Sequence, residues 1–191
     1  MRGISLYYIM DERVAIWDEN GQPTGREALK SEAHKNGWFH PTVHIWFYTQ
    51  DGRILLQQRS AKKLTYPLLW DVSVAGHISA GESIEEAAVR ETAEEIGLDI
   101  NFSELESIGV FKSVRKHHEE LIDCEFHHTF LCLLRKPPGE LKKQDEEVAA
   151  LKLVPLITFA EELWGLANPG KYVPHEPAYY KTVIRQVQKR L

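Results

Sequence analysis

Glu91, Glu94 and Glu95 stand at i, i+3 and i+4 within residues 83–96, and this pattern restricts the fold more than any other feature. The segment is predicted to be a helix. Ser83 suits the N-cap, Glu85 and Glu86 suit the positive end of the helix dipole, and Gly97 is a natural stop. Ile84, Ala87, Ala88 and Ile96, with Thr92, recur at helical spacing and mark a packing face. At ~100° per residue the three glutamates project from one narrow ridge. Like charges so placed destabilise a bare helix by roughly a few tenths of a kcal/mol per pair. Two things can offset that repulsion. Arg90 lies four residues before Glu94 and can pair with it, and a divalent cation can bridge the rest. Oxygen-only donors suit hard ions such as Mg²⁺ or Mn²⁺. Such ions bind diphosphate oxygens and lower the pKa of bound water. The ordinary alternative for three glutamates alone is a solvated acidic face.

The rest of the chain predicts strands for that helix to pack on. Residues 13–17 alternate enough to be a strand and end at the turn signal of residues 19–23. Residues 26–36 are predicted as a short helix stopped by Gly37. Strands at 42–49 and 53–59 are joined across Asp51-Gly52, a strong hairpin signal. A loop follows at 60–69, then strands at 71–75, 105–114, 122–134 and 149–154. Thr158 and Glu161 form a capping-box signature for a helix to Trp164, and residues 177–191 form a last helix. The expected class is α/β, of the α+β kind, with a mixed sheet between helices.

The 191 residues are enough for one domain with a substantial core. The net charge of −5 gives no basic field to recruit nucleic acid, so any phosphate must be met by metals or a few placed cations. No apolar run approaches the ~18 residues of a membrane span. Residues 1–10 are apolar but lack signal-peptide order, and a cytoplasmic location is expected. Cys124 and Cys132 lie eight apart in one apolar stretch. A bond between them would have to span roughly 26 Å of extended chain, so both are expected as buried thiols.

Gly76, Glu82, Arg90, Glu91, Glu94, Glu95 and Gly97 fit the pattern G-x5-E-x7-R-E-U-x-E-E-x-G-U, where U is bulky and apolar. Leu98 fits one U position, and Thr92 departs mildly at the other. With each residue type used at roughly 5–7%, seven such matches arise by chance on the order of once in 10⁸ windows. The stretch resembles the box of the Nudix hydrolase superfamily, and the resemblance covers residues 38–165. It implies an α/β/α sandwich with a mixed sheet. Residues 1–37 would be an extension packed on the core, and 166–191 the C-terminal helix of the same domain.

The resemblance also implies the chemistry. Glu91, Glu94 and Glu95, with the Gly76 carbonyl, would hold Mg²⁺ or Mn²⁺. Arg90 would orient the glutamates. Glu82 would support the loop-helix geometry or reach a metal through water. The reaction would be attack of metal-activated water on a phosphorus of a nucleoside diphosphate linked to a moiety X, or of a related organic diphosphate. The base is left open among Glu91, Glu119, Glu120, Glu146 and Glu147. Arg59, Lys62 and Lys63 could meet a phosphate or form surface pairs, and Arg59, Lys63 and Glu82 are the candidate substrate-binding group. Trp46, Tyr66, Trp70 and Phe111 could stack a base, though core packing is the commoner fate of each. Residues 60–69 and 112–120 are the expected specificity loops.

His40-Pro-Thr-Val-His44, Leu55-Leu-Gln-Gln-Arg59 and Trp70–His77 resemble isopentenyl-diphosphate isomerase and the hydrolases closest to it. The implied second metal site takes His34 or His40, with His77, Asp123 and Glu125. Asp123 and Glu125 lie two apart, on one side of a strand. The isomerase also needs a cysteine before the box glycine, where this chain has Ala75. Isomerase activity and a non-catalytic nucleotide-sensing domain are the rival readings. The partner expected is a small-molecule diphosphate, with no nucleic acid and no membrane. Residues 1–37 could add a strand, cover the cleft or form a homodimer contact.

Overall fold

In the computed structural model, which describes residues 11–165 and 170–191, the first element is a hairpin. Strand β1 (Arg13–Trp17) pairs antiparallel with β2 (Pro23–Leu29). Helix α1 (Lys30–Asn36) follows and stops at Gly37, which takes φ +60°. The helix expected over 26–36 is therefore shorter. Arg26 pairs with Ile16 and Leu29 with Arg13, and this places Ala28 beside Val14 and Ile16 in a small core. Pairing across the hairpin overrides the helix propensity of the Arg-Glu-Ala-Leu run.

The main sheet has seven strands. They are β3 (His40–Tyr48), β4 (Arg53–Arg59), β5 (Trp70–Asp71), β6 (Val74–His77), β7 (Glu106–His118), β8 (Leu121–Leu133) and β9 (Val148–Pro155). Their order is β5-β4-β3-β8-β7, with β6 on β3 and β9 on β4. β3 and β8 run parallel, so the sheet is mixed. The Asp51-Gly52 turn closes the expected hairpin, with Gly52 at φ +78°. Yet β3 and β4 pair only at Tyr48 and Ile54 before they part. β6 takes the vacated edge of β3, and β9 pairs along β4. Ser73 ties the parted strands together. Its buried hydroxyl donates to Leu55 O at 2.6 Å and accepts from Phe47 N at 2.9 Å. The strand expected at 71–75 is thus two short strands, β5 on β4 and β6 on β3.

Alternation along β3 sends side chains to two opposite cores. Val43, Ile45 and Phe47 pack with Ala87, Ala88 and Ile96 of helix α2 (Ile84–Ile96). Trp46 and Tyr48 pack with Phe159 of α3 (Leu156–Trp164) and with Tyr179, Tyr180 and Val183 of α4 (Pro177–Gln188). The result is the expected α/β/α sandwich. Each large apolar side chain buried here contributes roughly 1.5–3 kcal/mol. Helix α3 starts at Leu156, so Thr158 lies inside it rather than capping it; Leu156 and Phe159 are the residues it buries. The expected loop at 112–120 is mostly strand. Pairing of β7 with β8 runs on to His118 opposite Leu121 and leaves Glu119 and Glu120 as the turn. Cys124 and Cys132 are both free and buried, as expected. Among the described residues no helix is long and apolar enough to cross a membrane.

Candidate active site

Helix α2 forms where it was predicted. Ser83 Oγ accepts Glu86 N at 3.1 Å and Glu86 accepts Ser83 N at 2.9 Å, a reciprocal cap, and Gly97 ends the helix at φ +64°. The glutamate ridge then divides by depth. All three line a cleft of about 660 Å³, Glu94 half exposed and Glu91 and Glu95 deeper. Glu95 accepts Gln57 Nε2 at 3.0 Å and Ala75 N at 3.1 Å. Gly76 lies so close to Glu91 that a Cβ on it would sit 1.9 Å from the Glu91 carboxyl carbon. Only glycine fits there.

Arg90 organises the ridge from its outer side. Its guanidinium holds Glu82 through two bonds of 2.7 and 2.8 Å, and reaches Glu91 at 2.8 Å, Glu94 at 3.1 Å and His77 O at 3.0 Å. Ser79 N also donates to Glu82 at 3.0 Å. Glu82 is thereby fixed to the loop before α2, and it does not line the cleft that holds Arg59 and Lys63. Arg59 is turned toward Thr65 and Asp71, and Lys63 pairs with Glu147. Burial, with Arg59 nearby, lowers the Lys63 ammonium to about 8.

Burial and the neighbouring Glu91 raise Glu95 to about 8, and burial raises Glu91 too. Two buried carboxylates that resist ionising together fit a divalent cation between them. The shift also carries a sign. Glu95 binds its proton more tightly folded than unfolded, where its pKa is near 4.5. The stability this gives is full below about pH 4.5 and is lost as pH rises through about 8. Mg²⁺ binds the ionised form, so the rise in Tm it causes is expected to be larger at about pH 8.5 than at about pH 6. Thermal melts of the protein and of Glu95→Gln check this. Equal magnesium shifts at both pH values in the unsubstituted protein would refute it.

A second group converges beside the first. One ligand atom from each of His34, His40, His77 and Glu125 lies within 4.8 Å of every other. The box glutamates are not gathered so tightly. The Nε2 atoms of all three histidines are buried with no hydrogen-bond partner among the described residues. His40 Nδ1–H donates to Trp38 O at 2.9 Å, which leaves the Nε2 lone pair free when the ring is neutral. Burial lowers His34, and burial with Lys30 lowers His77 to about 3. Burial would raise Glu125, but the imidazoles of His40 and His77, each with Nε2 3.6 Å from its Oε1, hold it well below the usual carboxylate range. The sequence left His34 and His40 as alternatives, and the fold brings both in. It leaves Asp123 outside the group, 3.5 Å from His34 Nδ1 and 2.8 Å from His117 Nε2.

Of the five carboxylates considered as base, Glu91 and Glu147 line the cleft, and Glu119, Glu120 and Glu146 do not. Tyr66 lines it as well, while Trp46 is wholly buried and Trp70 and Phe111 pack against the core. Glu12, Asp71, Arg115 and His175 also line the cleft, unforeseen from sequence. Glu12 accepts the Ser79 hydroxyl at 2.6 Å, and no motif announces it.

The NUDIX domain family matches residues 38–176, nearly three quarters of the chain. The chain belongs to the Nudix family. A Nudix hydrolase of Clostridium acetobutylicum, itself named as uncharacterised, is 33% identical over 92% of this chain and 96% of its own length. An isopentenyl-diphosphate Delta-isomerase of Nocardia farcinica is 32% identical over 84% of this chain and 88% of its own. A crystal structure of a Deinococcus radiodurans protein shares the fold, with a TM-score of 0.65 at 18% identity over 92% of this chain and 99% of that one. Nudix hydrolases act on acid anhydrides such as nucleoside diphosphates, generally with divalent metals, and this chain is an enzyme of that class. In this Nudix fold, Ala75 lines the cleft where an isomerase cysteine would stand, and neither Cys124 nor Cys132 lines it.

Proposed function

We propose that this chain hydrolyses the diphosphate linkage of a nucleoside diphosphate joined to X, or of a related small organic diphosphate, in the cytoplasm. The close approach of Gly76 to Glu91 on the cleft wall carries the reading. It places a strand backbone against two buried carboxylates that resist joint ionisation. Glu91, Glu94, Glu95 and the Gly76 carbonyl would hold Mg²⁺ or Mn²⁺, hard ions suited to oxygen donors. When bound, such an ion neutralises diphosphate charge and makes water more acidic. Arg90 keeps the carboxylates aimed and Glu82 keeps Arg90 in place. Arg59 and Lys63 line the cleft and would meet phosphate oxygens on exchanging their present partners Asp71 and Glu147. Glu91 or Glu147, which both line the cleft, would accept the proton of the attacking water.

His34, His40, His77 and Glu125 would hold a second ion. Three nitrogens and one oxygen form a softer set than the box and suit transition metals. Asp123 would act one step back, orienting His34 through Nδ1.

The test is purified protein, with Mg²⁺ or Mn²⁺, against a panel of nucleoside diphosphate sugars, dinucleoside polyphosphates and organic diphosphates. The expected result is metal-dependent release of a monophosphate, lost with a chelator. Failure to cleave any member, or cleavage indifferent to chelation, overturns the reading. Elemental analysis of the same preparations is expected to find less bound transition metal in Glu125→Gln.

A further inference from the structure

A third group of side chains lines the same cleft and takes no part in the hydrolysis described above. It consists of His44 from β3, His127 from β8 and His175 from the segment before α4. The rings of His44 and His127 stack with centroids 4.0 Å apart and planes 16° apart. His175 stands edge-on to His44 at 5.4 Å. The ligand atoms of His44, His127 and His175 do not gather within reach of one ion as those of His34, His40, His77 and Glu125 do.

Partners behind the rings set their protons. Asp71 is buried, and His175 Nε2–H donates to its Oδ1 at 2.8 Å. A carboxylate only accepts, so a neutral His175 keeps its lone pair on Nδ1. Trp46 Nε1 only donates, and it donates to the Tyr179 hydroxyl at 2.8 Å. The Tyr179 proton is then available to His44 Nδ1 at 2.7 Å, and His44 carries its own proton on Nε2. Among the described residues His44 Nε2 and His175 Nδ1 take no partner, and neither is a sealed buried atom. With a neutral His175, the cleft wall thus offers a donor at His44 Nε2 and an acceptor at His175 Nδ1 side by side. Burial, with His127 and His175 nearby, lowers His44 well below the usual imidazole range.

We propose that His44, His127 and His175 form the subsite for X, and that X is a hydroxyl-rich group of the sugar or polyol kind rather than a hydrocarbon chain. A hydroxyl both donates and accepts, so one polyol can satisfy His175 and His44 together. A hydrocarbon would leave both atoms desolvated and unpaired, and sites built this way reject analogues that lack the hydroxyl strongly. The proposal rests on the diphosphate reading for the location of X, but its test does not require turnover.

The probes are two non-hydrolysable methylene diphosphonates, one glucosyl and one cyclohexyl. They match in ring size and phosphorus charge and differ in hydroxyls. Calorimetric titration of the full chain with Mg²⁺ is expected to show the glucosyl compound binding at least about tenfold tighter. His175→Phe is expected to shrink the gap to about threefold or less. Equal binding, or tighter cyclohexyl binding, by the unsubstituted protein overturns the proposal whether or not the variant folds. A glucosyl preference without cleavage of any diphosphate supports this subsite and removes the hydrolase reading, so the two can fail separately.

Discussion

Glu94→Gln combined with Glu95→Gln lowers kcat on the best diphosphate about a thousandfold or more, roughly 4 kcal/mol of transition-state stabilisation. Both changes keep volume and remove charge. Glu94 retains its position beside Arg90, and Glu95 retains its contacts with Gln57 and Ala75 N in outline. What is lost is the charge that would hold a cation against the diphosphate. The fold should survive, because neutralising Glu95 also relieves a carboxylate that burial already disfavours. Metal-free melts are therefore expected to show equal or higher Tm near pH 8, beside the collapse in turnover. Steady-state assays at saturating Mg²⁺ make the measurement. Turnover within about tenfold of the unsubstituted enzyme would exclude the assigned mechanism.

Gly76→Ala is expected to lower activity about a hundredfold and to destabilise the fold by about 1–3 kcal/mol. The reason is steric and local. The new methyl would lie 1.9 Å from Glu91 Cδ and 2.2 Å from one of its oxygens. Either the carboxylate leaves the cleft wall or β6 shifts away from β3. Both outcomes displace Glu91 relative to Glu95. Gly139→Ala is the control, since a methyl added there would meet nothing within 4 Å and its φ lies outside the left-handed region. That change should stay within about 0.5 kcal/mol. Denaturant titration and activity assays on both variants decide the matter, and full activity in Gly76→Ala would show that the close approach is not required.

Helix α2 and its glutamates were legible because cap, apolar period, charge ridge and stop all agree within one continuous segment. The layer order was legible for a similar reason: strand alternation and hairpin signals are local. The misses share a different cause. Arg26 to Leu29 carry helix formers, yet a partner strand claims them. Asp123 and Glu125 share a strand side, as expected, but their distances from β3 differ. Glu125 stands opposite His40 in the parallel ladder, whereas Asp123 lies beyond the ladder's end and is taken by His34 and His117. Register between distant strands has no local signal. The same holds for Asp71 and His175, which are 104 residues apart and meet at 2.8 Å. Glu12 enters the cleft only because the β1–β2 hairpin folds back against Ser79.

The parallel ladder of β3 and β8 has a consequence for how the enzyme comes into being. Its rungs join His40 to Glu125 and Tyr48 to Leu133, so some eighty-five residues must be synthesised and gathered between the two halves of each rung. Contacts of such long range form slowly. A slip of one rung would also turn every side chain of a strand to the opposite layer. Catalytic competence is therefore acquired late and all at once, and a nascent or mispaired chain would be silent rather than partly active.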